Sequence, residues 1–254
     1  MLSLAGLLLA LALLIALTMR GMSLFIATPL TAALVALTGG IALRPPLAAS
    51  GGQDLVSLYM QGFTGFIANW FFMFLLGSLF GKLMEDSGAA ESVARWITGH
   101  LGIKRAALAV VLACAVLTYG GVSLFVVAFS VYPMAVSLFR EADLPRRFIP
   151  GALAFGSGTF TMTSAGSPEI QNWIPIPFLG TTHMAAWQAS MIVAVAMAVV
   201  GYAWLARMVA RAVARGERFE ARADDPNEAR ASLPHPGLAA VPLVVVLVVS
   251  SLLH

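Results

Sequence analysis

Apolar residues run through this chain in stretches about as long as a lipid bilayer is thick. They fall at roughly 2–19, 22–43, 62–84, 106–137, 148–178, 185–206 and 238–253, and the short segments between them hold most of the charge. A helix needs about 20 predominantly apolar residues to cross the hydrocarbon. Charged residues make up 11% of the sequence, against about 25% in an ordinary soluble domain. The chain therefore reads as an all-α, polytopic membrane protein. Its net charge of +3 then reflects basic loops facing one side of a membrane, not a nucleic-acid surface. Cys114 is the only cysteine, and His100, His183, His235 and His254 are scattered. No disulfide framework, metal site or cofactor is expected from that pattern. The first run lacks a basic leader and continues through Arg20 into the second, as a retained helix does.

The run 106–137 is too long for one ordinary span and too short for two, and its middle reads "LTYGGVSLF", with paired glycines that break a helix. Charge placement decides how it is threaded. If the run enters and leaves on one side and 148–178 crosses once, 14 of the 15 basic residues share a side and only Arg44 lies opposite. A single crossing at 106–137 divides them 5 against 10. The bias of Lys and Arg toward cytoplasmic loops favours the first threading. It predicts a re-entrant helical hairpin, an inner-membrane location, a cytoplasmic basic side and an N-terminus outside.

Two breaks interrupt apolar runs at membrane depth, Thr118–Ser123 and Thr163–Ser167, the second within "TMTSAGSPEIQNWIP" (161–175). Non-helical backbone is tolerated there only when it is buried in protein or lines a cavity. Discontinuous helices meeting near the midplane are how secondary transporters commonly build their sites. Ser167 suits a cap, Pro168 a first helical position and Glu169 a first turn, so a half-helix is expected to start here with its positive end in the cavity. Thr118, Gly120, Gly121 and Ser123 at one break, and Thr163, Ser164, Gly166, Ser167, Gln171 and Asn172 at the other, are the candidate substrate-binding residues. Packing kinks and helix caps are the alternative reading of the same residues. Glu169 is the candidate proton-coupling residue: ionised it repels an anion, protonated it can share the site with one. A water-facing first-turn glutamate is the alternative there. Lys82 and Asp86, four apart, suit an interfacial ion pair, and His183 suits an interface position. The arginines at 207, 211, 215, 218 and 222 repeat at helical spacing and read as one headgroup-facing helix. An intramembrane serine protease is not expected, since "FGSG" (155–158) puts Phe155 where such a motif begins with glycine.

The segments "LGSLFGKLMEDSGAAESVARWI", "TYGGVSLFVVAFSVYP" and "TMTSAGSPEIQNWIP" resemble the GntP family of gluconate:proton symporters and related permeases of the ion-transporter superfamily. The resemblance runs from about Phe74 to Thr182. It implies an inner-membrane carrier for a small hydroxy-carboxylate (gluconate, another sugar acid or a shorter acid such as 3-hydroxybutyrate), with a scaffold part and a moving transport part. Two positions depart from the gluconate branch. Gly120 stands where that branch has a glutamate, and "SAGSP" where it has a Pro- and His-containing turn.

The expected organisation is then scaffold helices over 1–87, an interfacial amphipathic helix over 88–105, and a transport region over 106–183 with the hairpin and the broken transmembrane helix. A transmembrane helix over 184–206, a cytoplasmic basic linker over 207–237 and the start of a further span over 238–254 follow. Carriers of this kind contain two inverted repeats, and only one copy of each broken element is present. The chain is thus expected to be the N-terminal half of a proton-coupled symporter. Its expected partners are a small organic anion, H+, the lipid bilayer, a C-terminal repeat or second half-size chain, and a second copy in a homodimer, with no nucleic acid. A channel, a half-size subunit and an inactive truncated permease are the alternatives.

Overall fold

The computed structural model describes residues 2–43, 54–162, 164–222, 225 and 232–252. The named elements among them are all helical, and the chain divides into two compact units, Met1–Phe72 and Met73–His254.

The first unit holds α1 (Leu2–Met19), α2 (Leu24–Gly39) and the start of α3 (Leu55–Asp86). Threonine hydroxyls at 18, 28, 31 and 38 donate to carbonyls one turn earlier. This satisfies them within apolar helices that offer no water. α1 and α2 lie against each other, with Gly6 directly under Thr38. At the start of α3 the Asp54 carboxylate accepts from the Ser57 hydroxyl and from the Ser57 N–H at 3.0 Å. These bonds, the hydroxyl foremost, hold its pKa below the usual carboxylate value. α3 begins seven residues before the expected 62, because the polar residues of 55–61 are too few to interrupt the helix.

The second unit contains the end of α3, then α4 (Ala89–Leu101), α5 (Ala106–Tyr119), α6 (Leu124–Glu141) and α7 (Ile149–Gly158). The short helices α8 (Ile170–Trp173) and α9 (Ile176–Leu179), the long α10 (Trp187–Ala214) and α11 (Pro236–Leu252) follow. The expected ion pair between Lys82 and Asp86 is present at 2.9 Å. Among the described residues three helices, α3, α6 and α10, are long and apolar enough to cross a membrane. α4 and the segment Ile103–Tyr119 form a further candidate span bent by 104°. The bend falls at Gly102, whose φ of +71° suits a residue without a Cβ.

α5 is the centre of this unit. Ten of its 14 residues are buried, and it packs against α4, α6 and α7. Fourteen residues rise about 21 Å, short of the roughly 30 Å hydrocarbon thickness. α7 comes closest to it at Gly156, where a Cβ would lie 2.5 Å from the Val111 carbonyl oxygen. α4 is amphipathic. Ala90, Val93, Ala94 and Ile97 are buried while Arg95 and Trp96 are exposed, and its buried side meets α5, α6 and α11. Large apolar side chains on α3, α6 and α10, among them Phe72, Phe129 and Ile192, are widely exposed, the surface expected of helices that face lipid.

Candidate functional site

The run 106–137 breaks where its glycines predict. Gly121 takes φ +89°, its N–H donates to the Thr118 carbonyl at 2.9 Å, and the Val122 N–H donates to Leu117 at 3.0 Å. α5 is closed in this way and α6 restarts at Leu124, with Ser123 in extended conformation before it. The second run breaks over a longer stretch. α7 ends at Gly158, and residues 159–162 and 164–169 have no regular structure apart from turns. Hydroxyls replace the lost helical bonds: Thr159 donates to Phe155 O (2.6 Å), Thr161 to Gly156 O (2.9 Å) and Ser164 to Thr161 O (3.2 Å).

The two breaks meet. The Tyr119 hydroxyl donates to the Ala165 carbonyl at 2.8 Å, and Gly121 lies against Pro168, whose Cγ would be 3.3 Å from a Cβ at 121. The polar turn is also tied down from its other side. Ala165 N–H donates to Ser190 Oγ on α10 (2.8 Å) and Gly166 N–H to the His183 carbonyl (3.2 Å). The Asn172 amide donates to the carbonyls of Ser164 (2.8 Å) and Ser167 (3.0 Å). The His183 ring stacks on Trp173 with centroids 5.3 Å apart and planes 9° from parallel.

Thr118 and Ser167 have no exposed surface, and the hydroxyl oxygens of both lack a hydrogen-bond partner among the described residues. A buried hydroxyl without a partner costs about 1–3 kcal/mol, so such groups call for an explanation. One comes from each break. Ser164 is buried, Gly166 takes φ +79°, and Gly120 abuts Leu243 of α11. Gln171 is exposed, and Thr163 lies outside the described residues. An open cleft of about 430 Å³, largely apolar, adjoins this junction between α5, the polar turn and α10, with Tyr119, Thr161 and Ser164 on its wall.

The half-helix expected from Ser167 onward is not formed. Helix begins only at Ile170, with Glu169 half-buried in the extended cap position and no side-chain capping bond, and it lasts four residues. Pro175 and Pro177 follow, and each removes an N–H that a continuing helix needs. A four-residue helix has no appreciable macrodipole, so the positive helix end expected at the turn is absent. Tyr119, Ser190 and the His183 carbonyl belong to the junction although sequence reasoning did not place them in it. The one signal for Tyr119 was its position beside the paired glycines.

Residues 22–254 match a protein-family model described as CitMHS, citrate transporter. The chain belongs to the CitMHS family. CitMHS is a family of transporters, not of enzymes. Over 201 residues the chain is 43% identical to "Uncharacterized transporter YxjC" of Bacillus subtilis, a match covering 75% of the chain and 43% of that protein. It is 38% identical over 104 residues to an "Uncharacterized transporter" of Haemophilus influenzae, covering 41% of the chain and 25% of that protein. A "High-affinity gluconate transporter" of Escherichia coli is 32% identical over 98 residues, 37% of the chain and 22% of that protein. The chain thus spans less than half the length of the curated relatives it matches. No solved structure matches it.

Membership of CitMHS corrects the GntP resemblance. The family match runs along nearly the whole chain, whereas the similarity to a gluconate transporter is confined to about a hundred residues. Two of the three motifs that carried the resemblance lie at the helix breaks, and the third lies on the end of α3 and on α4. That geometry does not single out one ligand, and the two departures, Gly120 and "SAGSP", fall at the breaks themselves.

Proposed function

We propose that this CitMHS chain forms part of a proton-coupled secondary transporter for a small carboxylate of the citrate class. The site lies where the α5–α6 tip meets the polar turn after α7. The observation that carries this reading is the pair of fully buried, unpartnered hydroxyls, Thr118 and Ser167, contributed by the two breaks. A carboxylate offers up to four acceptor positions, and two preset hydroxyl donors complete their hydrogen bonds on it. Gly121 and Gly166 keep the backbone free of Cβ atoms beside the hydroxyls, and Ser164 and Asn172 hold the turn open. α5 and α6 act as a re-entrant hairpin and α7–α9 as a broken span, together one repeat of an inverted pair with the basic loops cytoplasmic. The description of the family model supports the carboxylate class.

The test is uptake of labelled citrate and of other small carboxylates by cells expressing the protein from its complete reading frame. Thr118→Val and Ser167→Ala, each removing one donor, are expected to raise KM roughly tenfold, the loss of one hydrogen bond to a charged group. Unchanged uptake kinetics in both variants, with expression held equal, overturns the assignment of the site.

A further inference from the structure

The strap that follows α10 forms a second polar site, remote in sequence from both breaks. α10 stops at Ala214 and Gly216 turns the chain back with φ +89°. Arg218 and Arg222 therefore leave the helix face on which their spacing placed them. The strap lies on the α6–α7 connection through Arg147–Glu217 (2.8 Å) and Arg218–Asp143 (3.2 Å). Asp225 receives both Arg140 (2.8 Å) and Arg146. Between strap and connection a cleft of about 430 Å³ opens, with Arg146, Arg147, Arg218 and Arg222 on its walls against Glu217 and Glu220.

Three features distinguish this cleft from a solvated patch of mixed charge. Arg146 is 11% exposed and held between Asp225 and the Tyr132 hydroxyl (2.8 Å). Arg147 is braced by Glu217 and lies 4.7 Å over the Phe148 ring. The Arg146 guanidinium is thereby held in place before any ligand arrives, and both arginines keep N–H donors beyond those their carboxylates use. Arg222 is exposed and its side chain has no acidic partner among the described residues. Position supplies the third. The cleft lies past the ends of α6 and α10, both long and apolar enough to span a bilayer, and so on the face of any membrane from which those ends emerge. Basic pockets beside the ends of membrane helices recognise anionic headgroups, and the planar fork of arginine matches a phosphate.

We propose that this cleft binds a phosphate group, supplied by the headgroup of an anionic phospholipid or by free phosphate. The proposal uses no residue of the transport site and stands independently of the transport reading.

The test measures the thermal midpoint of the detergent-purified protein, expressed from its complete reading frame, with added phosphatidylglycerol, phosphatidylcholine or inorganic phosphate. Phosphatidylglycerol is expected to raise the midpoint and phosphatidylcholine to leave it unchanged. In the Arg147→Gln/Arg222→Gln double variant the apparent affinity is expected to fall at least tenfold, the loss of a charge-assisted bond. Arg222→Gln alone, which removes no ion pair among the described residues, is expected to show part of that loss. Arg95→Gln, on the exposed face of α4, is expected to respond like the unaltered protein. A midpoint raised by inorganic phosphate but not by phosphatidylglycerol, and lost in the double variant, supports the cleft with soluble phosphate as its source. No response to either anion, an equal response to phosphatidylcholine, or a response that survives the double substitution overturns the proposal.

Discussion

Glu169 is the only carboxylate between Asp143 and Glu217, and it sits half-buried at the exit of the polar turn with its carbonyl accepting from Asn172 N–H (3.0 Å). Acids within apolar segments are functional by default. Glu169→Gln keeps the shape and removes the ionisation, so pH-driven accumulation of substrate is expected to disappear while exchange of substrate across the membrane persists. Uptake that still follows the proton gradient in this variant eliminates Glu169 as the coupling group. Asn172 shows how a residue type legible in the sequence acquires its role from the fold. The amide was a candidate ligand by chemistry, and in the folded chain both of its observed bonds go to carbonyls of the turn. No local pattern encodes that the carbonyls of Ser164 and Ser167 would be left without helical partners.

Among the elements, α7 makes the sharpest contrast between two glycines of one helix. A Cβ at Gly156 meets the Val111 carbonyl oxygen at 2.5 Å and Cys114 Cβ at 2.8 Å, whereas one at Gly151 meets nothing within 4 Å. Gly156→Ala is therefore expected to destabilise the protein by about 1–3 kcal/mol. Gly151→Ala is expected to be neutral or stabilising by up to about 1 kcal/mol. Thermal midpoints of the two variants in one detergent check both, and equal midpoints contradict the close packing of α5 on α7. The strap supplies the element-scale dependence on pH. Desolvation pushes the Asp225 pKa up, but the Arg222 N–H and the Arg146 and Arg140 guanidiniums outweigh it and hold the pKa below its ordinary value. A carboxylate with a lowered pKa contributes stability that is present above its unfolded pKa of about 4 and lost as pH falls through the folded value. A spin label at Glu220 is thus expected to stay immobilised from about pH 8 to pH 5 and to gain mobility only below about pH 4. Release near neutral pH points to a group other than Asp225.

For the whole molecule, the ion pairs between the α6–α7 connection and the strap put the ends of α6 and α10 on one side of any membrane they cross. On the proposed threading Thr181, between α9 and α10, lies on the opposite side. Cys114, the one cysteine in the 254 residues, is fully buried, so this part of the protein is expected to be silent to impermeant thiol reagents. Asp143→Cys is expected to react only from the cytoplasmic side and Thr181→Cys only from outside, as read by labelling in intact cells and in inverted vesicles. Labelling of both from one side refutes the threading inferred from the basic residues.

The sequence alone determined that this chain is helical and built for a bilayer, where its apolar runs break, and which runs hold its hydroxyls. Those properties follow from composition and periodicity, which act over a few turns of chain. Family membership was beyond its short motifs, because two of the three lie at the helix breaks and the family match extends along nearly the whole chain. Only the tertiary structure decided that α5, 14 residues long and buried along most of its length, is the centre of its unit. The same holds for the latch from Tyr119 to Ala165 and the return of Arg218 and Arg222 onto the α6–α7 connection. Each depends on contacts between residues tens of positions apart in sequence, where burial and hydrogen-bond satisfaction override local propensity.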